Sequence, residues 1–220
     1  MTGCLRLWAV PVATVQQIPG APPELAARLR QVAADHAPVR AGRPRALIDK
    51  LGPLLRRPSY APVIDPAALS LPDADAIVAG RFIPPERLDA AWRLFEFWLD
   101  DLSAARLSRP ASAAEVEQAD FDLARAGVPS PGDLRHLWQR GFALPLRPPP
   151  GLAIGYLEAA RVQAAAAVWQ DRLDGFDLGG SAGLVQAVLG FLARWPEWTA
   201  AAPGFPLDLV ARWGPQPADG

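Results

Sequence analysis

The chain has 220 residues, of which 50% are hydrophobic and 20% charged, and its formal net charge is -1. This length and balance predict a globular domain large enough to bury its own core. The near-neutral charge argues against nucleic-acid binding, and one cysteine, two histidines and one lysine leave few residues for nucleophilic or metal-dependent catalysis.

The N-terminal segment predicts a strand followed by a helix. The residues CLRLWAV alternate in character and end in a β-branched residue, which predicts a strand that stops at Pro11. In PELAARLRQVAADH, Pro23 occupies the first turn, and Leu25, Leu29 and Val32 recur at helical spacing. Because no basic leader with an apolar core precedes the strand, we expect no signal peptide and a cytoplasmic location.

The strongest helix pattern lies in the middle of the chain. Before it, ALIDKLGPLLRR predicts a short helix broken at Gly52–Pro53, the prolines from Pro58 to Pro72 exclude continuous regular structure, and DADAIVAG predicts one or two helical turns. In PPERLDAAWRLFEFWLDDLSAARL, apolar residues recur at spacings of three and four, which predicts a core helix. The opposite stripe is polar and consists of Asp89, Arg93, Glu96 and Asp100; Arg93 can form pairs in both directions along it.

The second half of the chain predicts more helices and a few strands. ASAAEVEQADFDLARAG and SPGDLRHLWQRG predict helices that end at Gly127 and Gly141. FALPL predicts a short strand or an extended edge, and GLAIGYLEAARVQAAAAVWQDRL predicts a strand that leads into an alanine-rich helix. GGSAGLVQAVLGFLARW predicts a helix that stops at Pro196, and EWTAAAPGFPLDLVARWG predicts one more short helix.

These elements define the predicted fold class. Helical patterns dominate, and the strands are too scattered for a regular alternation of strand and helix. We therefore predict an α+β fold, a helix-rich single domain with a small sheet of two to four strands, over residues 1–214. Residues 215–220 are predicted to be a frayed tail.

No pattern of reactive residues predicts a catalytic centre. His36 and His136 lie far apart, the chain has no G-x-S-x-G motif, and Cys4 in the first strand is expected to be a buried, reduced thiol. The glycines of GLAIG and GGSAG match neither dinucleotide-binding nor P-loop spacing, so we interpret them as turn glycines. We predict no metal and no cofactor. Because no apolar run reaches the length of a membrane span, we also predict no membrane association.

Charge and tryptophan are distributed unevenly along the chain. The segment 40–57 is basic, and the segment 86–133 is acidic. The two segments could complement each other within the fold, or they could form a dipolar surface that orients a charged partner. The eight tryptophans include a C-terminal group, Trp195, Trp198 and Trp213, for which a core role and an interface role are both open.

Three segments, GCLRLWAVPVATVQQI, LDAAWRLFEFWL and GLAIGYLEAARVQAAAAVW, together resemble the YfbM-like family of small bacterial proteins. They are similar to the family's opening strand, its mid-chain helix centred on a tryptophan, and its late glycine–aromatic–leucine strand that enters a helix. The resemblance covers half of the chain and implies a compact single α+β domain, with no reaction to carry over. The family often has a histidine after the helix tryptophan, where this chain has Arg93, and the stretch from Pro58 to Pro72 is additional.

Two functional hypotheses follow from the sequence. The first is a non-catalytic cytoplasmic accessory protein that binds another protein, because catalytic residue sets are missing while segregated charge and tryptophan are present. The alternative is a small-molecule-binding protein, or an enzyme without a metal, whose pocket combines arginine, carboxylate and aromatic groups. The candidate ligand-binding residues lie where GLAIGYLE is expected to meet the helices 85–106 and 130–140; they are Asp101, His136, Arg140, Tyr156 and Glu158. The sequence leaves the oligomeric state open.

Overall fold

The computed structural model describes residues 2–37, 68–138, 140–141, 146–202 and 204–215. Within these ranges the chain forms one antiparallel sheet of four strands with helices packed on both faces, which confirms the predicted helix-rich α+β fold. The strands are β1 Thr2–Val10, β2 Ala105–Ser112, β3 Ala153–Leu157 and β4 Asp208–Pro215. The helices are α1 Val12–Gln16, α2 Pro23–His36, α3 Leu71–Val78, α4 Leu88–Leu102, α5 Ala113–Arg125, α6 Ala159–Leu173, α7 Ala182–Ala193 and α8 Trp195–Ala201.

The first and last strands lie at the centre of the sheet. The strand order is β2-β1-β4-β3, and every neighbouring pair is antiparallel. Arg6 of β1 lies opposite Ser108 of β2 on one side and opposite Arg212 of β4 on the other. The two edge strands are therefore β2 and β3, which come from the middle of the chain.

Helices cover both faces of the sheet, so the central strands contribute to two separate cores. Because side chains alternate between the faces of a strand, Leu5, Leu7 and Ala9 pack among α5, α6, α7 and α8. Trp8 and Val10 point to the other face and pack among α1, α2, α3 and α4. We call these two faces the α7 side and the α4 side.

The predicted core helix is confirmed as α4, but the prediction extended it too far. Its apolar face is buried against the sheet, and the helix ends at Leu102. Residues 105–107, which the sequence prediction placed in the helix, instead begin β2. The sequence prediction missed this strand because its residues, ARLSRPAS, include two arginines and a proline, and because one of its faces remains exposed.

The C-terminal segment also differs from the prediction. Helix α7 ends at Ala193, before Pro196, and the short helix predicted for the tail is present as α8, which begins at Trp195 with Pro196 in its first turn. The rest of that segment forms β4 from Asp208 onwards, which the sequence prediction missed. The residues LVARW suit a central strand because successive side chains enter the two cores. The helix predicted from Ser130 to Gly141 was likewise wrong, since its described part forms two short 3₁₀ turns, Ser130–Gly132 and Arg135–Trp138.

Several predictions concern residues outside the described ranges. These are the short helix around Gly52–Pro53, the basic segment 40–57, most of FALPL, and most of the frayed tail at 215–220. The strand and alanine-rich helix predicted from GLAIGYLE onwards lie inside the described ranges and are confirmed as β3 and α6.

One carboxylate caps two helices at the start of β4. Asp208 Oδ1 accepts a hydrogen bond from the backbone N–H of Ala159 at 3.0 Å, and Oδ2 accepts one from Val12 at 3.3 Å. These amides begin α6 and α1, and the residues that precede the two helices supply no side-chain cap. Asp208 therefore links a helix on the α7 side to a helix on the α4 side.

We predict that Asp208→Ala lowers the free energy of unfolding by about 2 kcal/mol, because each lost helix cap costs roughly 1 kcal/mol. Asp208→Asn retains one acceptor oxygen, so the loss should be about half as large. Urea denaturation of both variants measures these differences, with Asp171→Ala, at an exposed position, as the matched control. An Asp208→Ala variant as stable as the control would contradict the double cap.

Candidate functional site

Three of the five candidate ligand-binding residues lie together at the β3 edge of the sheet. The Arg140 guanidinium donates to the carboxylate of Glu158 and lies 5.7 Å from the centroid of the Tyr156 ring. The backbone N–H of Tyr156 donates to the carbonyl of Arg140 at 2.9 Å. The pair is open to solvent, since the side chains of Arg140 and Glu158 are 52% and 53% exposed.

The other two candidates are held in separate pairs. Asp101, on α4, accepts a hydrogen bond from Arg28 of α2 at 2.7 Å. His136 Nδ1 lies 3.0 Å from the carboxylate of Asp133, whose oxygen also accepts the backbone N–H of His136. The proximity expected from the sequence is thus found for Arg140, Tyr156 and Glu158, because the backbone of Trp138 and Arg140 packs against β3.

The β3 edge is covered by the chain itself. Gly155 packs so closely against the backbone of Trp138 and Arg140 that a Cβ atom there would lie 2.3 Å from the Trp138 carbonyl oxygen. Together with the hydrogen bond from Tyr156 to Arg140, this contact occupies the outer side of β3. Of the two glycines of GLAIG, Gly155 is therefore needed for close backbone approach within β3, which the turn interpretation did not predict. Gly151 lies in the turn before the strand with a φ of +81°, as that interpretation predicted.

The β2 edge is different. Alternate residues of an antiparallel strand direct their N–H and C=O groups toward opposite neighbours. The backbone N–H of Tyr156 in β3 points away from β4. When the alternation is followed from Tyr156 through the register of the four strands, the backbone groups of Arg106, Ser108 and Pro110 point away from β1. Pro110 has no N–H, as this outward position permits. Among the described residues, no group accepts the outward N–H of Arg106 or Ser108.

An arginine–carboxylate cluster lies beside this open edge on the α4 side. We use this name for five residues, Arg6, Glu96, Asp100, Arg106 and Arg212. The Glu96 carboxylate accepts a hydrogen bond from Arg6 at 2.7 Å, and its second oxygen lies 2.9 Å from Arg212 Nε. One Asp100 oxygen lies 2.7 Å from Arg106 Nη1, and the other accepts from the indole of Trp8 at 2.7 Å.

Glu96 is buried where the sequence pattern suggested a polar stripe. It is 5% exposed and faces the sheet, so its partners are Arg6 and Arg212 rather than Arg93. Burial raises the pKa of the Glu96 carboxyl even though both guanidiniums favour its charged form, and burial also lowers the pKa of Arg212. Sequence reasoning missed this cluster, although a signal was present: each of the two central strands carries one arginine within an apolar run.

We predict that Glu96→Gln lowers the free energy of unfolding by about 3–5 kcal/mol, because it leaves two largely buried guanidiniums without a counter-charge. Thermal and urea denaturation measure the loss. Asp89→Asn is the matched control, since it makes the same charge change at an exposed position of the same helix. A loss as small as that of the control would show that the cluster contributes little to the fold.

Most carboxylates of the acidic segment 86–133 are paired with cationic or polar groups inside the described structure. The paired residues are Glu96, Asp100, Asp101, Glu115, Glu117, Asp120, Asp122 and Asp133. These pairs neutralise much of the negative charge that the sequence predicted for a dipolar surface. The pairing involves arginines from the described ranges and needs none of the basic residues at 40–57.

A second buried carboxylate lies on the α7 side. Asp122 of α5 accepts hydrogen bonds from the Ser181 hydroxyl at 2.7 Å, from Gln118 at 3.0 Å and from Arg125 at 3.4 Å. Burial acts to raise the pKa of Asp122, but these hydrogen bonds and the Arg125 charge outweigh it and lower the pKa. The carboxylate thereby connects α5 to the turn that precedes α7.

We predict that Ser181→Ala destabilises the protein by about 1–3 kcal/mol at neutral pH, because it removes a donor from a buried carboxylate. The depressed pKa of Asp122 contributes stability that is present above the unfolded value of 3.8 and lost as pH falls through the folded value. The difference between wild type and Ser181→Ala should therefore shrink in acid. Urea denaturation of wild type and Ser181→Ala, from neutral pH to below 3.8, measures this difference, with Ser130→Ala as the control. A difference in unfolding free energy that does not change with pH would contradict the role of the Ser181–Asp122 hydrogen bond.

The tryptophans serve mainly the two cores. Trp195 is buried, and Trp198 and Trp213 are half-buried, so the C-terminal group packs inside the α7 side. The large apolar side chains that are exposed in the described residues are Leu71, Phe82, Phe121 and Phe205. No tryptophan-rich surface is present in the described part of the chain.

Searches of family models, curated proteins and solved structures give no match for this chain. The resemblance to the YfbM-like family therefore stays a prediction. Within the described ranges, no group of three His, Cys, Asp or Glu side chains is placed to hold a metal ion. In the same residues, no helix has both the length and the apolar character needed to span a bilayer.

Proposed function

We propose that this protein is a non-catalytic binding protein that receives an extended segment of a partner protein along the outer edge of β2. The observation that carries the proposal is the difference between the two sheet edges. Backbone of the same chain covers β3, whereas the N–H groups of Arg106 and Ser108 have no acceptor among the described residues. Extended peptides bind such edges by adding a strand through main-chain hydrogen bonds.

The composition of β2 limits the part of its edge to which a strand can be added. Proteins protect exposed edges from indiscriminate pairing with proline and charged side chains, and β2 carries Pro110, Arg106 and Arg109. Pro110 cannot donate, so an added strand would be limited to the stretch around Arg106 and Ser108. This arrangement leaves a few backbone groups available while it prevents extended aggregation.

Charge favours a different protein over a second copy of this chain. β2 contains two arginines and no acidic residue, so two copies paired edge to edge would bring like charges together. Arg106 is also the most exposed member of the arginine–carboxylate cluster, with 64% of its side chain accessible. The occupant that fits is an extended, acidic segment of a partner protein. A cytoplasmic location accompanies this proposal and is supported by the free, buried thiol of Cys4.

The alternative, a small-molecule site at Arg140, Tyr156 and Glu158, has weaker support. Arg140 and Glu158 already pair with each other at an open surface, so a ligand would have to replace an existing ion pair. For nucleic acid, the chain lacks the excess of basic residues that phosphate binding requires.

We predict that Ser108→Pro abolishes partner binding and leaves the fold intact, because it removes an outward N–H without breaking the ladder to β1. Ser108→Ala is the matched control, since it removes the hydroxyl and keeps the N–H. Quantitative mass spectrometry would compare the proteins that wild type and both variants retain from a lysate of the source cells. Circular dichroism and thermal denaturation would confirm that both variants are folded.

The expected result is at least one protein that wild type and Ser108→Ala retain and Ser108→Pro loses by roughly tenfold or more. If every retained protein binds Ser108→Pro and Ser108→Ala equally, the proposal is wrong. A retained species that is this chain itself, together with a dimer mass in solution that Ser108→Pro converts to monomer, would make the occupant a second copy and would also overturn the choice of partner.

A further inference from the structure

We infer that the segment received by β2 carries an aspartate or glutamate, whose carboxylate binds between Arg106, Arg6 and the Ser108 hydroxyl on the α4 side of the sheet. The inference rests on the proposed strand addition and specifies the chemistry of the partner. Three observations support it, namely the placement of the donors, their unused hydrogen-bonding groups, and the charge of the cluster behind them.

The three donors lie on the same face of neighbouring strands. Arg6 is directly opposite Ser108, and Arg106 is opposite Trp8, so Arg6 and Arg106 are diagonal neighbours. Arg106, Ser108 and Pro110 are exposed, and in the described ranges no helix covers this part of the α4 side. A side chain on a strand added beyond β2 would therefore project directly beside Arg106 and Ser108.

Each donor has a hydrogen-bonding group that the described residues do not use. Arg6 and Arg106 reach Glu96 and Asp100 through Nη1, and neither Nη2 group has an acceptor in the described part of the chain. The Ser108 hydroxyl lies 3.4 Å from the Cys4 sulfur, a weak partner that a carboxylate can displace. A carboxylate can accept from several such donors at once, and a guanidinium is suited to bind it bidentately.

The charge of the cluster also favours an anion. Three guanidiniums, those of Arg6, Arg106 and Arg212, face two carboxylates, those of Glu96 and Asp100. Asp100 balances Arg106, whereas Arg6 and Arg212 share the single carboxylate of Glu96, so the excess charge lies with these two arginines. Of the two, Arg6 is the one that an incoming anion can reach, because its side chain is 23% exposed and Arg212 is buried. A carboxylate bound at the cluster would neutralise its excess positive charge, whereas an amide or a cation would not.

A peptide-display selection tests the inference. The library consists of seven-residue peptides with an alternating Val/Thr frame and one randomised central position, presented to wild type and to three variants. Arg106→Gln removes the exposed guanidinium, and Ser108→Pro removes the outward N–H. Arg161→Gln makes the same charge change at an exposed position of α6 and serves as the control.

We expect wild type and Arg161→Gln to enrich Asp and Glu over Asn and Gln about two- to fivefold at the central position, as cross-strand pairs of opposite charge do. Arg106→Gln should retain peptides of the same frame without that preference, and Ser108→Pro should retain none. If wild type and Arg106→Gln select the same residues while Ser108→Pro retains none, strand addition stands and the carboxylate inference is overturned. If wild type retains no more peptide than Ser108→Pro, the proposed function itself fails.

Discussion

The buried contact of Glu96 with Arg6 and Arg212 is the interaction on which the arrangement of the α4 side depends. It joins the longest helix on that face to both central strands, which come from the two ends of the chain. Burying three charges is costly, and the cost is offset only when each charge has close partners. Arg212 meets this condition because it also donates to the backbone carbonyl of Pro215 at 2.7 Å. Together with the buried apolar face of α4, this contact holds the helix against β1 and β4 and places Asp100 beside Trp8 and Arg106.

Within the described ranges, no helix covers the α4-side face of β2, and Arg106, Ser108 and Pro110 are exposed there. With α4 anchored over β1 and β4, its carboxylates reach outward only as far as Arg106, through Asp100. The edge strand beyond is flanked by an ionic cluster rather than by a hydrophobic core, so its side chains on that face remain exposed. On the opposite edge, by contrast, the Trp138–Arg140 backbone packs directly onto Gly155. Within the described ranges the two sheet edges therefore differ: backbone of the same chain covers β3, and no group accepts the outward N–H groups of β2.

The spacing of hydrophobic residues predicted the elements that bury one apolar face and expose the other, such as α4 and α6. It failed for β2 and β4, because β2 is polar along its exposed face and β4 is buried on both faces, so neither has a simple hydrophobic alternation. The meeting of Arg140 with Tyr156 and Glu158 could be anticipated because all three lie close together in the chain. Glu96, Arg6 and Arg212 come from three distant segments, and only the sheet register brings them together. An arginine inside an apolar strand is the sequence feature that indicates a buried acidic partner.

The measurement that tests this account most directly is amide-resolved hydrogen exchange of the free protein. Exchange reports which backbone N–H groups lack a stable acceptor. The account predicts fast exchange for the amides of Arg106 and Ser108, and slow exchange for their neighbours Leu107 and Arg109, which bond to β1, and for Tyr156 at the covered edge. Slow exchange at Arg106 and Ser108, comparable to that of Leu107, would show that the β2 edge already has a partner within the chain and would contradict the proposed binding edge.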